Sequence, residues 1–361
     1  MNKWLQSTLL IASIPSIVLA TSGMHRACKM ETASLDDFFP KETTINHSAK
    51  FVWNSAYGAE WMDSFLIRKY QEITHQPTFL DQYQQLYERL HSEANLSDES
   101  FSDVFALNID DFTRVHTYSY INKVVEQGSD PFYLGLLRAT ETPLIHETVE
   151  LQAAFTSGTY TAGVLALENG IAMNLAGGLH HAMPNREEGF CIFNDTAIAI
   201  RKLQAERKIE TAMIIDGDVH QGNGNATVFL NDSSVTIADV NQNDAYPSHK
   251  VLVTYNFPFD SSENVTDEKY LPYLAPILNV VEITRPDIVF YLAGADPYKE
   301  DMLGDFQLTK EGLKTRDETI IFGVRKLEIP LVVLPAGGYS RNPKDIVDIH
   351  YNTALIVALQ K

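Results

Sequence analysis

Basic residues are scarce in this 361-residue chain: 28 lysines and arginines stand against 47 aspartates and glutamates, a formal net charge of −19. Phosphate backbones are held by clustered Lys and Arg, so nucleic acid is left out as a partner. Cysteine is rarer still. Two residues, Cys28 and Cys191, make no disulfide framework, and Cys191 in its apolar setting reads as a small buried hydrophobe. Repeats, low-complexity tracts and long Pro/Gly/Ser linkers are missing from Phe51 onward, which leaves one domain over residues 51–361. Membrane-spanning runs are missing too. The nearest candidate, Trp4 to Leu19, is interrupted by Gln6, Ser7, Ser13, Pro15 and Ser16, so no transmembrane anchor is expected.

That N-terminal stretch has another reading. Met1-Asn2-Lys3 is a short basic start and Val18-Leu19-Ala20 resembles an A-x-A cleavage site, the pattern of a secretory signal peptide over residues 1–20. Residues 21–50 would then be an N-terminal extension, and the mature chain would be exported. An amphipathic or disordered leader on a cytoplasmic protein is the alternative. No small-residue lipobox precedes Cys28 (His25-Arg26-Ala27), which disfavours a lipid anchor. Oligomeric state is not readable from the sequence.

What the chain does contain is a core and a pattern. Hydrophobic residues make up 45% and charged residues 21%, ordinary proportions for a protein that buries a sizeable interior. Four apolar runs each end in glycines and reactive side chains. Ile171 to Ala176 runs into Gly177-Gly178-Leu179-His180-His181. Ala212 to Ile215 runs into Asp216-Gly217-Asp218-Val219-His220. Asp287 to Ala293 runs into Gly294-Ala295-Asp296, and Pro330 to Leu334 into Pro335-Ala336-Gly337-Gly338-Tyr339. Helical patterns precede them: Thr159 to Glu168, Asp195 to Lys208, Leu271 to Ile283 and Gly312 to Lys326. Earlier helices are read at Leu80 to Ala94 and Asp110 to Val125. Alternating strands and helices predict a three-layer α/β/α fold around a central, mostly parallel sheet.

In such sheets ligands gather at the carboxyl ends of the strands. Asp218 and His220, two apart on an extended chain, point the same way. With Asp296 they offer oxygen, nitrogen and oxygen donors and leave a coordination position open, the layout of a catalytic metal site. The tandem histidines supply a base near neutral pH. Tyr339 supplies a neutral hydroxyl donor for a developing oxyanion.

At these residues the sequence resembles the zinc-dependent histone deacetylase family, within the arginase/deacetylase fold. The resemblance rests on G-G-L-H-H, G-F-C-I-F-N-D (Gly189 to Asp195), D-G-D-V-H-Q-G-N-G, G-A-D and A-G-G-Y, in that order. Gln221 after His220, and Ile237 to Asn241 with Tyr246-Pro247, are most similar to class IV members. Before Asp110 the likeness is thin. The resemblance implies one Zn2+ per chain on Asp218, His220 and Asp296. It implies His181 as general base and acid, His180 as its electrostatic partner, and Asp216 and Asn223 orienting His180 and His181. Asn223 stands where the family otherwise uses Asp, which implies a less polarised His181. Tyr339 would polarise the scissile carbonyl, and Gly189, Phe190 and Tyr246 would wall the substrate channel. A K+ ion is implied at Asp216, Asp218 and His220, with backbone carbonyls of Asp239 and Val240.

The implied activity is removal of acyl groups, acetyl or long fatty acyl, from lysine side chains of peptides and proteins or from similar amines. Class IV likeness favours the long chains. Acidity suits a cationic substrate such as a lysine-rich peptide or a polyamine, and is equally what a solvated surface requires. Two alternatives stay open: a dinuclear-manganese ureohydrolase of the same fold, and a non-catalytic acyl-lysine binder.

Overall fold

In the computed structural model residues 46–58, 81–129 and 146–360 are described. The signal-peptide reading and most of the N-terminal extension lie outside those residues.

Among the described residues eight strands form a single sheet: β1 (Phe51–Val52), β2 (Phe101–Ser102), β3 (Ile171–Asn174), β4 (Ala212–Asp216), β5 (Val235–Gln242), β6 (Tyr255–Phe259), β7 (Ile288–Leu292) and β8 (Leu331–Leu334). Their order is β2-β1-β3-β8-β7-β4-β5-β6, and every pairing is parallel. The helices include α1 (Asp81–Ser92), α2 (Ile109–Phe112), α3 (Tyr118–Gly128), α4 (His146–Asn169), α5 (Asp195–Ala205), α6 (Asn223–Val228), α7 (Leu274–Thr284), α8 (Lys310–Lys326) and α9 (Pro343–Leu359). No helix among the described residues is long and apolar enough to cross a membrane.

Alternation along the central strands divides the interior in two. Ala172, Ile214, Ile237, Phe290 and Val332 pack with Ala162 and Leu165 of α4 and Ile198 of α5. Their neighbours Met173, Ile215, Ala238, Tyr291 and Val333 pack with Ile277 of α7, Ile320 of α8 and Ile349 of α9. Because successive strand residues face opposite sides, these are separate cores on the two faces of one sheet. The three-layer expectation is met, and the central strands read as continuous apolar runs because both faces are covered.

One expectation is corrected. The helix read from Asp110 to Val125 is two helices, α2 and α3, separated by a turn. Asn108 starts the first with a capping box, its side chain accepting from the Asp110 N–H while Asp111 accepts from the Asn108 N–H. Thr117 caps the second. The chain is pinned at the break: the Thr117 N–H donates to Pro184 O at 2.7 Å. His116 Nδ1 donates to Met183 O, and its Nε2 accepts from the Asn194 N–H, both at 3.0 Å. These long-range bonds outweigh the local helical pattern.

Candidate metal and catalytic site

The four strands read from the sequence are neighbours, in the order β3-β8-β7-β4. Their carboxyl ends therefore deliver His180-His181, Tyr339, Asp296 and Asp218-x-His220 to one place. Asp218, His220 and Asp296 are buried, and one donor atom from each lies within 4.8 Å of the others. His220 Nδ1 is 2.9 Å from Asp296 Oδ2 and 3.2 Å from Asp218 Oδ1. Ligands of a zinc ion sit ~2.1 Å from the metal, which puts tetrahedral neighbours ~3.4 Å apart. Backbone N–H groups fix the remaining carboxylate oxygens: Val219 donates to Asp296 Oδ1 at 2.8 Å and Gly337 to Asp218 Oδ2 at 2.9 Å. Gly337 has to be glycine here, since a Cβ would come within 2.5 Å of Asp218 Oδ2.

The charge balance also fits a cation. Asp216, Asp218, Asp239 and Asp296 are all buried. Burial and the charge of Asp218 hold the Asp296 carboxyl well above the usual range, and burial with Asp216 does the same to Asp239. Asp218 goes the other way: despite burial, the charge of His180 and the hydrogen bond to His220 hold it well below. His220 is pushed up to about 10; burial opposes this, and Asp218 and Asp296 outweigh it. So much negative charge in a low-dielectric pocket calls for protons or bound cations.

The two histidines have different partners. His180 Nδ1 lies 2.9 Å from Asp216 Oδ2, and His181 Nδ1 lies 2.7 Å from Asn223 Oδ1. Burial works against charging His180, but Asp216 and Asp218 push it up to about 9. Burial and the positive neighbours His180 and His220 hold His181 well below the usual imidazole range. The ring centroids are 4.0 Å apart. A charged and a neutral histidine thus sit side by side.

Tyr339 packs its ring edge-on to His220 at 6.1 Å and tilted to Phe190 at 6.0 Å. Burial and the carboxylates Asp218 and Asp296 hold its hydroxyl well above the usual phenol range, so it stays a protonated donor. Tyr246 packs edge-on to His181 at 4.9 Å. Gly189 lies against the His181 ring, where a Cβ would come within 2.4 Å, and its φ of +54° is one that glycine adopts freely. Phe190, next along, holds φ +67° without that freedom, at a cost of ~1–2 kcal/mol. Gln152 of α4 secures the turn by donating to Phe190 O at 2.8 Å and accepting from the Ile192 N–H at 2.7 Å. Asp239 is engaged by the Gly222 N–H at 3.0 Å and by Asn241 Nδ2 at 2.7 Å. Val240 is buried beside it on β5.

Several contributors were not read as such from the sequence. Asp195 lies inside the G-F-C-I-F-N-D motif, yet its role shows only in three dimensions. It accepts from the Gly178 N–H at 2.8 Å and the Leu179 N–H at 2.7 Å, fixing the backbone just before His180. Asp301 accepts from the Tyr339 N–H at 2.6 Å. Glu188 accepts from Asn223 Nδ2 at 2.7 Å. Their sequence signal is only that each carboxylate stands close to a motif.

The histone deacetylase domain model matches residues 76–353, well over half of the chain. This chain belongs to the histone deacetylase family. Among curated members, histone deacetylase 2 of Arabidopsis thaliana is 34% identical over 192 residues, 53% of this chain and 50% of that protein. An uncharacterized protein of Picosynechococcus is 37% identical over 194 residues, 54% of this chain and 64% of that protein. The matches thus span roughly half to two thirds of those relatives. Among solved structures of this fold, acetylpolyamine aminohydrolase from Burkholderia pseudomallei superposes with a TM-score of 0.69 at 15% identity, covering 86% of this chain and 99% of that one. A histone deacetylase homolog complexed with SAHA gives 0.69 at 19% identity, covering 87% and 85%. The fold expected from the sequence is the fold these proteins share.

Proposed function

We propose that this member of the histone deacetylase family is a zinc-dependent amidohydrolase that removes acyl groups from lysine side chains or similar amines. The observation that carries the reading is the convergence of Asp218, His220 and Asp296 within 4.8 Å, beside His180, His181 and Tyr339. Asp218, His220 and Asp296 would hold a zinc ion, which would supply Lewis-acid polarisation of the carbonyl and a water pKa lowered to ~7. His181, with Nδ1 committed to Asn223, presents Nε2 to take a proton from the attacking water and return it to the leaving amine. His180, kept charged by Asp216, stabilises negative charge nearby and keeps His181 neutral. The Tyr339 hydroxyl donates to the carbonyl oxygen as charge develops there. A monovalent cation, K+, at Asp216, Asp218 and His220 with the carbonyls of Asp239 and Val240 would relieve the repulsion between buried Asp216 and Asp239.

Gly189, Phe190 and Tyr246 form the wall along which the acyl-lysine chain enters. Likeness to class IV supports higher kcat/KM for myristoyl- than for acetyl-lysine. The dimanganese ureohydrolase alternative is less well supported, because His180-His181 and Tyr339 suit deacylation better than a second metal site.

The test is turnover of acetyl- and myristoyl-lysine on one fluorogenic peptide by protein loaded with one zinc. Release of fluorophore, blocked by a hydroxamate, supports the proposal. No release from either peptide at full zinc occupancy favours an acyl-lysine binder. Two bound manganese ions with urea production would replace the deacylase reading altogether.

A further inference from the structure

Asn223 is an ambiguous partner for a histidine. Its amide oxygen accepts, its nitrogen donates, and a half-turn exchanges them. With the oxygen toward His181 Nδ1, the ring carries its proton there and keeps a lone pair on Nε2. With the nitrogen toward His181, the proton moves to Nε2 and the ring cannot act as a base on that side. An aspartate would present no such choice, because both of its oxygens accept.

Glu188 resolves the choice. Its Oε1 lies 2.7 Å from Asn223 Nδ2, and a carboxylate accepts only. Arg186 holds the other oxygen, with Nε at 2.9 Å and Nη2 at 2.6 Å from Oε2. The Tyr246 hydroxyl interacts with the same carboxylate. The Glu188 side chain is only 20% exposed, and Asn223 is 2% exposed. With its nitrogen turned to Glu188, Asn223 turns its oxygen to His181, at 2.7 Å.

We propose that Glu188 is a positioning residue of the catalytic site: it fixes the amide orientation of Asn223 and so the His181 tautomer in which Nε2 can accept a proton. The proposal rests on the reading of His181 as the base, and the tautomer itself can be measured without turnover.

E188A is expected to lower kcat ~10–100-fold, the usual scale for residues that orient a functional histidine, with KM and zinc content unchanged. N223D separates positioning from packing. Beside Glu188 it opposes two carboxylates and lowers kcat; in the E188A background it raises kcat above that of E188A, because either oxygen serves His181. A merely structural role makes the two losses additive. Imidazole 15N NMR on zinc-loaded protein, with His181 assigned through H181A, should show the Nδ1–H tautomer in the wild type and a mixture in E188A. Unchanged kcat in E188A, additive losses in the double variant, or a pure Nδ1–H tautomer in E188A would each overturn the proposal. A wild type inactive on every acyl-lysine would reject the deacylase reading and leave the NMR result to decide the tautomer.

Discussion

Arg316 donates through Nη1 to Gly217 O at 3.0 Å, and the same nitrogen reaches Gly294 O at 2.7 Å. Those carbonyls lie just ahead of Asp218 and Asp296, so one guanidinium on α8 ties together the two loops that carry the carboxylates of the candidate metal site. The side chain is fully buried, and its charge is met by Asp317, 2.8 Å away.

Replacing this guanidinium should therefore have two effects. R316M leaves Asp317 buried without its cation, and we predict a loss of ~3–5 kcal/mol of stability, read by denaturant unfolding. Zinc affinity should fall as well, ~10–100-fold, in chelator competition. A variant that unfolds at the parent midpoint and holds zinc as tightly would remove Arg316 from this role.

Ligand and non-ligand residues should separate cleanly. D218N, D296N and H220A are expected to lose bound zinc. H181A and Y339F should keep it and lose kcat, Y339F by ~10²–10³, as for other lost oxyanion donors. Elemental analysis beside steady-state kinetics checks both. Full activity of Y339F on every acyl-lysine tried would show that the tyrosine does not stabilise the oxyanion.

His116 makes stability pH-dependent. Burial, partly offset by the Met183 carbonyl, holds it down at about 4, whereas an unfolded histidine titrates near ~6.5. The unfolded chain therefore takes up a proton first as pH falls. Stability present above pH ~6.5 should decline toward pH ~4 by on the order of 3 kcal/mol and then level off for this group. Urea titrations of wild type and H116Q across that window should show a shallower slope in the variant; equal slopes would discount His116.

Gln152 braces the left-handed Phe190 from a helix 38 residues upstream. Q152A removes one buried and one partly buried hydrogen bond, so a loss of ~1–3 kcal/mol is expected, together with a raised KM for acyl-lysine as the channel wall slackens. Unchanged melting temperature and KM would mean that the turn holds itself.

Export of the mature chain is decided at its first residue. N-terminal sequencing of protein from its natural source should find a start near Thr21; an intact Met1 or Asn2 on active cytosolic enzyme would refute a cleaved signal.

The residues that meet at the site were legible because each follows a short, fully buried strand whose unbroken apolar run gives way to glycines, a strong local signal. The edges were not. β1 and β2 are two residues each, too short to carry a period, and β6 ends the sheet with Pro258 and exposed residues. Only Thr159 to Glu168 was read of α4, because that helix is buried nearly all round and shows no polar stripe. The supports Gln152, Glu188, Arg316 and Asp301 act across 22 to 99 residues of chain. No local pattern marks such partners.

The strand order has a consequence for how the protein comes into being. β3 and β4 never touch; between them lie β8 and β7, which the ribosome makes last. A nascent chain ending before Asp287 already carries His180, His181, Asp218 and His220, yet has neither the second carboxylate of the candidate metal site, Asp296, nor the strands that bring the two halves together. Capture of a metal by these residues would thereby wait until β7, Asp296 and β8 have been made, and a shorter nascent chain would have no finished cage with which to compete for metal.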